Sequence, residues 1–133
     1  MPKYGRVIVE YQNLNSKPGE DMIQDYAFGR IVVEGKEYTN DLIIYPDRID
    51  DDWWRQEGHR LQMVDLQGIS AANPEVLIVG TGAYGAMQVD PKVKQSLAEQ
   101  KISLVALPTD QACQKYNELV NFKRIVAALH LTC

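Results

Sequence analysis

The residue types able to do chemistry in this 133-residue chain fall into three groups. The first is Gly80-Thr81-Gly82-Ala83-Tyr84-Gly85, which repeats the G-x-G-x-x-G spacing directly after an apolar run at residues 76–79. In a dinucleotide fold such glycines let a pyrophosphate approach the N-terminus of the helix they open. Here the third glycine precedes any helix, because the next helix signal is Asp90 followed by Pro91. The next strand also ends without the acidic residue that would hold a ribose. Asp110, beyond Pro108, reads as first-turn helix charge. The expectation is no nucleotide cofactor, and a turn whose glycines supply positive φ or close packing. N–H groups left free in that turn would suit a small anion.

The second group is Trp53-Trp54-Arg55. Neighbouring side chains on an extended segment face opposite ways, so one tryptophan is expected in the core and the other outside. Arg55 has two readings: stacking on a ring or binding a carboxylate or phosphate in a ligand face, against a surface ion pair with the run Asp50-Asp51-Asp52. An exposed tryptophan beside an arginine is also interface hot-spot chemistry. The third group is the two histidines. His59 follows Gly58 close to the tryptophans and is the better functional candidate. His130 sits in apolar sequence and reads as a satisfied core residue.

Other chemistries find no support. Two histidines and two scattered cysteines do not supply a metal-ligand set. The three adjacent aspartates read as a solvated turn, since neighbouring carboxylates on one loop do not converge on one ion. Cys113 lies in an apolar helical register and reads as a small buried hydrophobe, and Cys133 is the last residue. There is no nucleophile elbow, Walker loop or zinc-protease helix.

The formal charge of -4 disfavours nucleic acid and anionic membrane surfaces. Lys92, Lys94 and Lys101 are spread along a helix, and Lys123 and Arg124 form only a pair. No apolar run approaches the roughly 20 residues of a membrane span, and residues 1–6 carry no signal-like apolar region. The expectation is a soluble cytoplasmic protein, one domain over residues 1–133, acting as a monomer or weak homodimer.

These groups need elements to hold them. Residues 6–11 read as a strand, and residues 13–19 as a loop. Residues 26–33 and 37–45 read as a hairpin joined by Glu34-Gly35-Lys36. Leu42-Ile43-Ile44 is apolar on both faces, and Pro46 closes it. Residues 47–73 are irregular, with a short half-buried piece at residues 63–66. Then the rhythm changes: a strand at residues 76–79, a glycine loop at 80–85, and a helix capped by Asp90 with Val93, Leu97 and Ala98 on its apolar face. The strand Ser103–Leu107 follows. After it comes a helix capped by Thr109, with Ala112, Cys113, Tyr116, Leu119 and Val120 at helical spacing. Residues 124–131 read as a final strand, and their length also permits a helix. Strand–helix–strand–helix–strand implies parallel pairing with right-handed crossovers. Ligands bind open α/β sheets at the carboxyl edge of such strands.

Three words of the sequence carry a resemblance: Asp41-Leu42-Ile43-Ile44-Tyr45-Pro46 with Trp53-Trp54-Arg55 and Gly58-His59; residues 74–82, Pro-Glu-Val-Leu-Ile-Val-Gly-Thr-Gly; and residues 127–133, Ala-Ala-Leu-His-Leu-Thr-Cys. Together they resemble the small Mth-type domain family that includes the adipogenesis-associated Mth-type domain protein and mitochondrial complex I assembly factor 3. The likeness runs from about residue 26 to the end. It implies a three-layer α/β fold with a central, mostly parallel mixed sheet, to which the reading above adds two flanking helices and an N-terminal β-hairpin layer. The family has no established reaction and so supplies no catalytic residues, while its eukaryotic assembly role suggests a binding module.

Two functions follow as expectations. One is a module that binds a protein through a face built from Trp53, Trp54, Arg55, His59, Gly80, Thr81, Gly82 and Thr109. The other is a binder of a small anionic ligand, or an enzyme, using a pocket at the same edge with His59 as acid or base.

Overall fold

The computed structural model describes residues 21–133, so the strand expected at residues 6–11 and the loop at 13–19 lie outside the described residues. Three antiparallel strands come first: β1 (Ile23–Ala27), β2 (Arg30–Val33) and β3 (Lys36–Tyr38). The single strand expected over residues 26–33 is corrected. Gly29, at φ +80°, turns the chain back between β1 and β2, a conformation open to glycine because it has no Cβ. The N-terminal layer is therefore a three-stranded meander rather than one hairpin. The turn at Glu34-Gly35 stands where the sequence put it.

The strand expected over residues 37–45 is also two strands. β3 stops at Tyr38, and β4 (Leu42–Ile44) enters a different sheet. The break is polar, Thr39-Asn40-Asp41, and the Asp41 carboxylate accepts the Leu131 N–H at 2.8 Å, which draws the chain to a new neighbour. Beyond it come β5 (Ile49–Asp50), β6 (Arg60–Leu61), a 3-10 turn at Met63–Leu66, and the short helix α1 (Ile69–Ala72). The second half carries β7 (Val76–Thr81), β8 (Gln88–Val89), α2 (Pro91–Glu99), β9 (Ser103–Leu107), α3 (Thr109–Leu119) and β10 (Ile125–His130). β7 extends two residues further than expected, so Gly80 and Thr81 belong to the strand and only residues 82–85 form the turn.

The central sheet runs β5-β4-β10-β7-β9, with β10 parallel to β7, β7 parallel to β9, and β4 antiparallel to β10. The mixed, mostly parallel α/β architecture is thus present, with layers on both faces. Period-two alternation divides its side chains. Leu42, Ile44, Ile78, Ala127 and Leu129 meet α3 and the meander, through Ile31, Ala112 and Tyr116. Ile43, Leu77, Val79, Val126 and Ala128 meet α2, the 3-10 turn and Trp53 on the other face. Asp90 caps α2 by accepting the Lys92 N–H at 2.9 Å. Only Val93 and Leu97 of α2 are buried, and Ala98 is exposed, which narrows its expected apolar face. Pro108 holds the cap position of α3. Thr109 is the first helical residue, not a cap, and its hydroxyl turns inward instead.

One consequence matters for function. The carboxyl ends of β7, β9 and β10 and the amino end of β4 meet along a single edge of the sheet.

Candidate functional site

At that edge three polar side chains lie under the surface. Asp41 precedes β4, His130 ends β10, and Arg55 comes from the irregular segment after β5. Strand alternation aims His130 to the same face as Val126 and Ala128, toward Trp53. The Arg55 and His130 side chains are only 6% and 7% exposed. Asp41 Oδ2 lies 2.7 Å from His130 Nδ1 and 2.9 Å from Arg55 Nη2, while Oδ1 takes the Leu131 N–H. Burial is the largest single influence on Asp41 and pushes its carboxyl up. The His130 and Leu131 hydrogen bonds and the Arg55 charge together outweigh burial, holding the carboxyl below its ordinary range. Asp41 is therefore ionised and only accepts, so His130 Nδ1 carries the hydrogen and donates to it. The 3.1 Å approach of Arg55 Nη2 to Nδ1 is then two donors gathered around one oxygen.

This arrangement corrects two expectations. Arg55 pairs with Asp41, not with the aspartate run, and its guanidinium also lies 4.6 Å over the Trp53 ring. His130 is not a satisfied core residue: Nε2 is buried without a hydrogen-bond partner, and so is Nη1 of Arg55. Asp41 opens the Asp41–Pro46 word of the sequence but is not among the residues expected to form a site. The available signal was an Asn40-Asp41 pair immediately before a doubly buried strand, a place where a carboxylate needs a partner.

The glycine turn packs directly on this cluster. Gly82 has φ +103°, and a Cβ there would stand 2.8 Å from the Thr132 carbonyl oxygen and 3.0 Å from the His130 ring. No other residue fits that position without displacing the end of β10. Gly80 approaches Thr109, whose hydroxyl accepts the Gly82 N–H at 2.9 Å and donates to the His130 carbonyl at 2.6 Å. Thr109 thereby ties β7 to β10, and the loops after β7 and β9 are neighbours. Thr81 is buried opposite His130 in the parallel register. The expected supply of free N–H groups in the turn is corrected as well. The N–H groups of Gly82, Ala83, Gly85 and Met87 donate to Thr109, Thr132, Gly82 and Thr81, so those four cannot cradle an anion.

Around the cluster lie the aromatics. Trp53 is buried, donating its indole N–H to the Asp65 carbonyl at 2.9 Å, and Trp54 is 80% exposed. The inside–outside split of the pair is as expected. Phe28, 56% exposed, and Tyr84, 78% exposed, have ring centroids 6.3 Å apart. The Gly29 N–H donates to the Leu131 carbonyl and the Ala83 N–H to the Thr132 carbonyl, which pins both turns beside the end of β10. His59 is exposed, with its ring edge-on to His130 at 6.2 Å.

The remaining candidates stand apart. Asp50, Asp51 and Asp52 are exposed, and Asp52 accepts the Trp54 indole N–H. Cys113 is buried, and burial pushes its thiol up to about 12, which makes it a poor nucleophile at neutral pH. Among the described residues, no group of three His, Cys, Asp or Glu side chains is placed to hold a metal ion. None of their helices is long and apolar enough to cross a membrane.

Comparison with known proteins places these features in a group. A 13 kDa major membrane protein of Francisella tularensis is 32% identical over 113 residues, covering 80% of this chain and 86% of the relative. A conserved hypothetical protein of Pyrococcus horikoshii, known from its crystal structure, is 31% identical with a TM-score of 0.72, covering 84% of this chain and 98% of its own. A Mth938-like domain protein of Bordetella pertussis, at 23% identity, shares the fold with a TM-score of 0.68, covering 89% of this chain and 91% of its own. The description of a protein family of unknown function, DUF498/DUF598, matches residues 23–131. The chain belongs to the DUF498/DUF598 family, and it shares its fold with the Mth938-like domain.

Proposed function

We propose that this protein is a cytoplasmic, assembly-factor-like binding module that engages another protein through the carboxyl edge of its parallel strands. The observation that carries this reading is the exposed pair Phe28 and Tyr84, with ring centroids 6.3 Å apart, together with exposed Trp54 on the segment that Trp53 ties to the same edge by donating its backbone N–H to the Asp41 carbonyl at 3.1 Å. Exposed aromatic area concentrated in one place marks interaction surfaces, and tryptophan and tyrosine dominate interface energetics. The buried cluster supports the surface mechanically. Arg55 donates Nε–H to the Gly58 carbonyl at 3.2 Å and pairs with Asp41, which fixes the backbone on either side of Trp54. Gly82 and Thr109 do the same for the turn that carries Tyr84. Such bracing lets the aromatics bind without a large ordering cost. On its own the protein is a monomer or weak homodimer.

The reading is tested with a photo-crosslinking amino acid placed in the native cell at position 54, 84 or 122 in turn. Phe122 is equally exposed but precedes β10, at the opposite edge. Positions 54 and 84 should capture one common protein that position 122 does not. Equal capture from all three positions would remove the assignment of this edge.

A further inference from the structure

We infer that the Asp41–Arg55–His130 cluster is a receptor for a single carboxylate group, taken up together with one proton. The inference goes beyond the protein-binding reading and does not depend on the aromatic surface.

It starts from the two nitrogen atoms that nothing satisfies. Arg55 Nη1 and His130 Nε2 are both buried without partners, on side chains more than nine-tenths buried. Leaving a buried polar atom unpaired costs about 1–3 kcal/mol each, so two in one cluster mark a place built for something else. The cluster's other polar atoms are engaged. Both Asp41 oxygens accept bonds, and Arg55 Nε and Nη2 donate to Gly58 and Asp41. What remains is one charged donor and one imidazole nitrogen with a lone pair.

Charge then selects the ligand. With His130 neutral, Arg55 and Asp41 cancel. A carboxylate accepting from Nη1 would leave one uncompensated negative charge under the surface, which is costly. A proton arriving at Nε2 restores neutrality and turns that lone pair into a second donor for the other carboxylate oxygen. A carboxylate at Nδ1 is the partner that steadies an imidazolium, and Asp41 already occupies that position at 2.7 Å. Charge-assisted bonds from guanidinium and imidazolium to one carboxylate are the strong kind. A sulfate dianion would exceed what one added proton can balance.

Other groups facing His130 do not change this count. His59 approaches from the loop, Thr81 from β7 and Gly82 from the turn after it, and the Thr109 hydroxyl from α3 is engaged with the His130 carbonyl. The backbone oxygen of Cys133 lies against Gly82. Asp65 is occupied by the backbone N–H groups of Gln56 and Gln62. Beside His130 the exposed ring is that of His59, edge-on at 6.2 Å.

The test uses the full chain and no partner. Ring nitrogens of His130 are followed by NMR while acetate, acetamide or inorganic sulfate is added. Acetate should move Nε2 toward the imidazolium position and saturate. On the alkaline side its affinity should fall about tenfold for each pH unit, the signature of one linked proton. Acetamide and sulfate should leave Nε2 unmoved. Arg55→Gln should weaken acetate at least about tenfold through loss of a charged donor, while Trp54→Ala should not change it. An acetylated dipeptide with a free C-terminus that binds more tightly than acetate identifies a protein carboxyl terminus as the source. Equal affinities identify free small acids. The inference fails if acetate gives no saturating shift, if acetamide moves Nε2 as acetate does, or if the acetate response is independent of pH. The first result means an ordered water joins the two nitrogens, and the other two mean a neutral hydrogen-bonding ligand.

Discussion

Two buried polar centres lie on the same face of the central sheet, and they are built differently. Asp65, in the 3-10 turn, accepts the N–H groups of Gln56 and Gln62 with its two oxygens, at 3.1 and 2.8 Å, and its carbonyl takes the Trp53 indole. Both carboxylate oxygens and the carbonyl of that centre are engaged, and it staples an irregular segment to the core. The Asp41 centre gathers a carboxylate, a guanidinium and an imidazole, yet leaves Nη1 and Nε2 without partners. A satisfied network rigidifies the fold, whereas a partly satisfied one has a reason to be incomplete. The difference teaches where to look for function on a face that is otherwise apolar.

Breaking each centre in turn sharpens the contrast. Asp41→Ala should have the largest effect, about 3–5 kcal/mol in chemical denaturation, because it strands the buried Arg55 charge and frees the Leu131 N–H. Leu77→Ala, a purely apolar deletion in β7 on the same face, should cost about 2–5 kcal/mol and, unlike the Asp41 change, should cost the same at all pH values between 3 and 8. Asp65→Ala leaves two backbone donors unpaired and should cost about 2 kcal/mol. Greater loss there than at Asp41 would invert the comparison. Trp54→Ala should stay within about 0.5 kcal/mol, since its side chain is exposed.

Acid unfolding probes the Asp41 centre separately. The folded carboxyl titrates below its ordinary value of 3.8, so the unfolded chain binds its proton first as pH falls. The stability Asp41 contributes is therefore complete above about pH 4–5 and is lost as pH drops through 3.8 toward the lowered folded value. Asp25 and Asp90 are lowered too, by Arg30 and by the Lys92 N–H with Arg60, and would add to the same limb. The difference between the natural protein and Asp41→Asn isolates the contribution of Asp41. Parallel acid limbs for the two would mean that Asp41 is not held as described.

Much of the fold was legible because its signals are local. Asp90-Pro91 announces a helix start, and the continuous apolar runs in β4, β7 and β10 announce strands covered on both faces. The errors came where a partner distant in sequence overrode a local pattern. Residues 37–45 alternate well enough for one strand, but the N–H of Leu131 takes the Asp41 carboxylate and splits it. Thr109 has the type and place of a cap, but Gly82 and His130 compete for its hydroxyl and win. The site was half legible for the same reason. Trp53, Trp54, Arg55 and His59 are close in sequence and drew attention together. Asp41 and His130 become neighbours only once β4 and β10 pair, and no spacing rule connects them.

The place of β10 in the sheet also sets an order of events in time. β10 lies between β4 and β7, whose partners on that side are otherwise missing. A chain emerging from the ribosome can join β7 to β9, but the sheet stays in two pieces until residues 125–130 appear. Until then β4 and β7 each offer an unpaired edge on a strand whose residues are all buried in the finished fold, the kind that recruits strands from other molecules. Pairings across such long stretches of chain are slow to form. The interval before β10 inserts is therefore when this protein is most prone to aggregate and most in need of a chaperone.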